Sequence, residues 1–422
     1  MQQADLIIHN TGQLVTCASG GKPKRGRPML DVAIIENGAV AVADGKFVGV
    51  GTSAEILGSF SSEKLIDADG RVVCPGFVDP HTHIVYAGNR LNEFELKIRG
   101  ADYLEILTSG GGIISTVKQT REASMESLVE LCAARLNKML ACGTTTVEIK
   151  TGYGLDTATE LKMLAVIAEL DGTHAIDIVP TFLAAHAIPP EYKDNPNVYV
   201  NEICDTMLSE AWKWFVASEF YGRVPFFCDV FCEKGAFTLE HSRKILETAR
   251  SLGYKLKAHV DQFTNLGGST LAIEMGAVSI DHLDAISETE IARLAKSDTI
   301  GMVIPTENFN AGKTQFANGR KLIDEGCVVA LSTDYNPGSA PCPSQPMAMA
   351  IACRYQKLLP AEALNAATIN AAFAIGLGKK VGSIENGKSA DLIILECDDY
   401  REIIYEFGGN LVASVFKNGR IQ

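Results

Sequence analysis

With 422 residues, 46% of them apolar and 21% charged, the chain has the composition of a globular protein that buries a large core. A formal net charge of −13 argues against a nucleic-acid partner, whose phosphates call for a basic footprint. No apolar stretch approaches the roughly 20 residues that span a bilayer, and Met1-Gln2-Gln3-Ala4-Asp5 lacks the basic start and apolar run of a signal peptide. A cytoplasmic location with neither membrane nor nucleic-acid partners is therefore expected. The 11 cysteines, an odd number, suit a reducing compartment better than a disulfide framework. Cys228 and Cys232 would lie about 13 Å apart on a strand, so they read as core residues, not as half a zinc site.

Residues 1–70 read as short strands and turns: Leu6 to Asn10, Ala33 to Ile35, Ala39 to Ala43 and Phe47 to Gly51, punctuated by Gly and Asn. The basic run Lys22-Pro23-Lys24-Arg25-Gly26-Arg27 reads as a solvated loop. From residue 71 to 384 the character changes, and apolar β-runs alternate with helical stretches. The β-runs are Val72–His83, Thr144–Lys150, Ala175–His186, Pro225–Glu233, Leu256–Gln262, Ala277–His282, Gly301–Thr306 and Val328–Asp334. Helices are expected at Met125–Ala141, Ala158–Leu170, Leu239–Leu252 and Ser287–Lys296. Residues 385–422 return to the style of the N-terminus, with Asp391–Leu395 and Leu411–Phe416 as strands. The expected architecture is α/β: a (β/α)8 TIM-type barrel with a small β-sandwich-like domain formed by both termini.

Polar residues fall at the ends of these runs: His81 and His83, Lys150, His186, Glu233, His259, His282, Thr306 and Asp334. Five of the chain's 8 histidines thus sit where a barrel builds its active site, at the C-terminal rim of the strands. A His-x-His pair on a strand points both rings to one side. Alone it would more often be two satisfied histidines, but here it joins a constellation. His81 and His83 from the first strand, His259 from the fifth and Asp334 from the eighth form a ligand set for zinc, iron or a related transition metal. An acidified water is the expected nucleophile, with Asp334 or His282 as general base. Lys150 raises the alternative of a modified lysine bridging two metals. Because the fourth strand ends in Glu233, a single metal is the favoured reading.

The segments Phe77-Val78-Asp79-Pro80-His81-Thr82-His83, Ala87-Gly88-Asn89-Arg90, Glu148-Ile149-Lys150-Thr151-Gly152-Tyr153-Gly154, Ala185-His186-Ala187-Ile188-Pro189-Pro190 and Asp334-Tyr335-Asn336-Pro337-Gly338 resemble the imidazolonepropionase family of the amidohydrolase superfamily. The resemblance extends over nearly the whole chain. It implies hydrolytic opening of 4-imidazolone-5-propanoate to N-formimidoyl-L-glutamate in histidine degradation, with one zinc or iron ion on His81, His83, His259 and Asp334. It further implies substrate contacts at Arg90, Tyr103, Tyr153, His186, Gln262, Asn336, Gly338 and Ser339, with His282 also in the pocket. Gln262 separates rival reactions, since superfamily deaminases generally carry Glu there to protonate a ring nitrogen, and an amide cannot supply that proton. Deamination or hydrolysis of a related heterocycle is the alternative. Pro305–Gly312 departs from the family pattern: Glu307 would oppose a propionate if it reached the mouth, and would be neutral to function on a solvated loop. The segment from Ala211 through Trp212 and Trp214 to Arg223 is longer than usual and reads as an oligomer contact or a surface helix. A homodimer is the expected assembly, as the commonest one.

Overall fold

The computed structural model describes residues 1–100 and 111–422. Eight parallel strands follow one another around a barrel: β1 (Phe77–Asp79), β2 (Thr144–Lys150), β3 (Asp177–Ala185), β4 (Phe227–Cys232), β5 (Lys255–Val260), β6 (Ser279–His282), β7 (Ile300–Val303) and β8 (Val329–Leu331). Each overlaps one of the expected β-runs. All seven residues of β2 are buried, as a parallel strand covered on both faces requires. The ring is completed just beyond β1 and β8, where Thr82 bridges Tyr335 and the His83 N–H donates to the Tyr335 carbonyl at 2.9 Å.

The first β-run is divided. Val73–Pro75 pairs antiparallel with Leu392–Leu395 in the small sheet, and the barrel strand starts afresh at Phe77. The seventh run is cut short too: Thr306 lies on a helix, Pro305–Asn310, not at a strand end. Pro305 at the first helical position suits a helix start, where its missing N–H costs nothing.

The helices begin where capping side chains stand. Ser124, Asp156, Thr238 and Ser287 each accept a backbone N–H at the start of Met125–Ala141, Thr157–Thr173, Leu239–Leu252 and Glu288–Leu294. Leu208–Ala217 carries both tryptophans inward onto the barrel's outer layer: Trp212 lies 5.0 Å from Tyr254 and Trp214 lies 6.0 Å from Phe226, centroid to centroid. That segment is a packed helix.

Both termini build one sheet. In order it runs Arg420–Ile421, Val412–Lys417, Leu392–Leu395, Val73–Pro75, Leu6–Val15, Ile34–Ala43 and Lys46–Thr52. One face buries Leu6, Ile8, Val40, Leu392 and Phe416, and the other buries Ile7, Ala39 and Ala41 with Ile56 of the helix Ser53–Ser59. Lys417 ties this sheet to the barrel, its Nζ lying 2.5 Å from Asp391 and 2.7 Å from Asp177 at the start of β3.

The basic run is solvated only in part, with Lys22 and Arg27 exposed. Lys24 is buried, its Nζ donating to the Asp31 carbonyl, and Arg25 donates to the carbonyls of Ala295 and Ser297. All 11 cysteines are free, and Cys228 and Cys232 are buried. Among the described residues, no helix is long and apolar enough to cross a membrane.

Candidate active site

His81, Thr82 and His83 continue past β1 with strand-like alternation. The Thr82 hydroxyl turns away to the Glu148 carbonyl, at 2.6 Å, so the flanking imidazoles share the opposite side. His259 comes from the last turn of β5, and Asp334 from just beyond β8. Their ligating atoms converge: His83 Nε2 lies 3.2 Å from His81 Nε2 and 3.4 Å from His259 Nε2, while Asp334 Oδ1 lies 3.6 Å from His81 Nε2 and 3.4 Å from His83 Nε2. All four residues are buried. Donors at about 2.0–2.1 Å from a tetrahedral zinc stand about 3.3–3.4 Å apart, the spacing seen here.

The protonation states suit a cation. Burial, helped by Lys150 and neighbouring imidazoles, lowers His81 well below the usual histidine range; burial and His186 do the same for His83. Both rings are therefore neutral, and their facing Nε2 atoms offer lone pairs to one point. His81 Nδ1 meets Asp281 Oδ2 at 2.7 Å, and His259 Nδ1 meets Asp229 Oδ2 at 3.0 Å. The hydrogen bond to Asp281 keeps the proton of His81 on Nδ1 and leaves Nε2 free to ligate, while Asp229 stands against His259 Nδ1 as a charge in contact. Asp334 Oδ1 is buried without a hydrogen-bond donor, a costly state for a carboxylate that a metal ion would relieve. The residues present fit a transition metal.

Beneath this cluster lies a network absent from the sequence reading. Lys150 does not enter the cavity. Its Nζ lies 2.7 Å from Asp229 and 3.1 Å from Glu148, while Lys257 Nζ lies 2.8 Å from Glu148. Burial would lower Lys150, but the Asp229, Glu148 and Asp281 carboxylates overcome it and the ammonium stays charged. Modification of Lys150 into a bridging ligand is not what this geometry provides. The signal was present in the sequence: Glu148, Lys150, Asp229, Lys257 and Asp281 are charges inside strands of a parallel barrel, where burial demands partners.

A cavity of about 90 Å³ opens above the imidazoles. Arg90, Tyr153, His186, Gln262, His282, Asn336 and Ser339 line it, as do two apolar walls that sequence reasoning missed, Ile113 and Phe231. Tyr103 lies outside the described residues. Gly338 abuts Arg90, and a Cβ there would fall 2.0 Å from Arg90 Nη1. The Arg90 guanidinium is already engaged by Glu93, through Nε at 2.8 Å and Nη2 at 2.6 Å. Burial holds Tyr153 above its ordinary range, so it remains a phenol. His186 is lowered to about 3, chiefly by burial. Its Nδ1 donates to the Gly152 carbonyl at 3.0 Å, and its ring stacks on His83 at 4.8 Å.

Buried carboxylates shape the loops that carry these side chains. Glu160 accepts the N–H groups of Gly152, Gly154 and Leu155, which frames Tyr153. Glu233 accepts those of Lys234, Phe263 and Thr264 as well as the Thr264 hydroxyl, which frames Gln262. Glu233 is thus a loop clamp. Asp261 faces away from the cavity and accepts the Ser269 hydroxyl at 2.5 Å. Glu307 is neither a solvated loop residue nor part of the cavity lining. It is buried, with Oε1 2.9 Å from Lys313 Nζ.

Comparison with known proteins adds an independent line. Models of the amidohydrolase family match residues 236–422 and 64–108. The chain is 50% identical over 422 residues to the imidazolonepropionase of Chloroflexus aggregans, covering 100% of this chain and 99% of that one. It is 52% identical over 421 residues to the imidazolonepropionase of Herpetosiphon aurantiacus, covering 100% and 98%. Among solved structures, an adenosine deaminase from Xanthomonas campestris with bound zinc aligns with a TM-score of 0.74 at 20% identity, covering 100% of this chain and 93% of that one. Guanine deaminase of E. coli aligns at 0.73 and 16%, covering 99% and 98%; these two likenesses concern the fold alone. With about half its residues identical over their full lengths, the chain belongs to the imidazolonepropionase family of amidohydrolases.

Proposed function

We propose that this chain is a hydrolase that opens the ring of 4-imidazolone-5-propanoate to N-formimidoyl-L-glutamate in histidine degradation. The observation that carries this reading is the meeting of His81, His83, His259 and Asp334 at a cavity whose wall presents Arg90. Those four residues would hold one zinc or iron ion, since imidazole and carboxylate accept both. Bound there, the ion supplies a more acidic water and polarisation of the ring carbonyl.

The chain's own groups do the rest. The Arg90 edge not bonded to Glu93 faces the propionate carboxylate, for which a planar guanidinium is suited. His186, protonated on Nδ1, offers Nε2 as an acceptor for a ring N–H, and the Tyr153 phenol offers a further donor. Gln262 holds the ring amide without giving up a proton. Water adds to the ring carbonyl carbon, and the bond from that carbon to ring nitrogen breaks. The proton released by the water passes to Asp334 or His282 and from there to the departing nitrogen. Ile113 and Phe231 limit water at the reacting face.

The test is incubation of metal-loaded protein with freshly prepared substrate, following its ultraviolet absorbance while assaying formimidoylglutamate and ammonia. Substrate loss with stoichiometric formimidoylglutamate and no ammonia is expected. Ammonia release would point to deamination of a related heterocycle, and absence of turnover would refute the substrate assignment. A cytoplasmic location is supported by the free, mostly buried cysteines. Homodimerisation follows only the general prevalence of two-fold assemblies and is checked by light scattering.

A further inference from the structure

The buried charges beneath the imidazoles are arranged around one ammonium. Lys150 Nζ lies 2.7 Å from Asp229 Oδ2 and 3.7 Å from Asp281 Oδ2, and all three side chains have no exposed surface. Those same two oxygens face the ligand rings, Asp229 Oδ2 at 3.0 Å from His259 Nδ1 and Asp281 Oδ2 at 2.7 Å from His81 Nδ1. The other oxygens are held locally, Asp229 Oδ1 by the Val230 N–H and Asp281 Oδ1 by the Ser279 hydroxyl, each at 2.7 Å. One cation therefore stands behind both atoms that orient two of the three imidazoles. Lys257 adds its charge to Asp281, but its Nζ bonds Glu148 Oε2 at 2.8 Å and the Pro80 carbonyl at 2.9 Å, so Lys150 is the lysine in contact with both oxygens.

We infer that Lys150 is a positioning residue for the metal centre: its ammonium fixes the two carboxylate oxygens that keep the Nε2 atoms of His81 and His259 turned toward the ion. Two carboxylates in a dry interior repel unless a cation lies between them. A shared lysine removes that repulsion and sets both oxygens at once. Glu148 in turn holds Lys150, with Oε1 at 3.2 Å and Oε2 at 3.1 Å, and the Thr181 hydroxyl donates to Oε1. The role extends the metal-site reading above and rests on it.

The experiment is a double-mutant cycle read by metal affinity. Wild type, Lys150→Met, Asp229→Asn and the double variant are titrated with zinc in competition with a chromogenic chelator. The visible spectrum of each cobalt-loaded protein is also recorded. Each single change is expected to weaken zinc by about 10- to 100-fold, the usual cost of losing a partner behind a metal ligand. The double variant is expected to lose less than the product of the two single losses, because both changes act in part through the same Asp229 oxygen. The cobalt bands should shift in Lys150→Met.

Wild-type affinity and an unshifted cobalt spectrum in Lys150→Met would overturn the inference. So would losses that simply multiply in the double variant. If Lys150→Met does not fold, Asp229→Asn and Asp281→Asn decide together, since unchanged affinity in both removes the paths through which Lys150 acts. Failure of the underlying metal-site reading looks different: wild type and His259→Ala would then bind zinc equally.

Discussion

At the scale of single residues, the site's chemistry is set by which atoms are left without donors. Neutral His81 and His83 face each other through Nε2, and Asp334 Oδ1 joins them with no hydrogen bond of its own. His259→Ala and Asp334→Asn should each lower kcat/KM by about 1000-fold or more, on the order of 4 kcal/mol of transition-state stabilisation. Steady-state kinetics on zinc-reconstituted protein check this, and near-native rates would remove these residues from the centre. Gly338 offers a finer probe, because an added Cβ would strike Arg90 Nη1. The clash falls on the end of a movable side chain, so Gly338→Ala should change stability by less than about 1 kcal/mol. It should raise KM by roughly tenfold, with kcat much less affected, as expected when substrate binding alone is lost. An unchanged KM would mean that Arg90 does not meet the substrate.

At the scale of elements, the strand ends carry backbone strain where the side chains are needed. Asp261, His282, Leu283 and Asp334 have φ of 53°, 87°, 68° and 50°, in the left-handed region that non-glycine residues seldom adopt. Such positions cost about 1–3 kcal/mol each and persist when surrounding bonds over-determine them. Ser332 and Thr333 supply some of those bonds beside Asp334, donating to buried Asp79 at 2.5 Å each. The loops rely on buried acceptors. Glu233→Ala would leave three backbone N–H groups unpaired beside Gln262, at about 1–3 kcal/mol for each one that stays dry. The variant should melt several degrees lower and bind substrate more weakly, as calorimetry and kinetics would report. Unchanged melting would mean that water satisfies those groups.

At the scale of the whole molecule, two linkages should be measurable. Binding of a metal to the folded state alone adds about 4 kcal/mol of stability at 1,000 times its Kd. Stripping the ion with a chelator should therefore lower the calorimetric melting temperature, and zinc or iron should restore it. A melting curve indifferent to metal would contradict the site. The second linkage is Lys417, which joins the small sheet to β3 through Asp391 and Asp177. Lys417→Met would leave Asp391 buried without its cation and held only by the Asn418 N–H, a loss of about 3–5 kcal/mol. Denaturant unfolding would register this as a lower midpoint, and an unaltered midpoint would show that the pair contributes little.

Much of this protein was legible in its sequence. Parallel strands covered on both faces must be apolar runs, so the eight barrel strands could be counted, and polar residues at their ends stood out as the rim. The expected helix starts at Met125 and Leu239 match those observed, where Ser124 and Thr238 complete the first turn locally. Tertiary structure alone decided what depends on partners far away in the chain. Thr306 and Glu307 entered a helix and a buried pair with Lys313, and Val73–Pro75 left the barrel for a strand at the other end of the chain. Lys24, which looked solvated, was buried through a bond to Asn370. Lys150 read as a possible ligand because its strand end was visible, while Asp229 and Asp281, which claim its charge, come from strands 79 and about 130 residues away. A strand's face follows from local periodicity; the partner of a buried charge follows from which strands the closed barrel brings together.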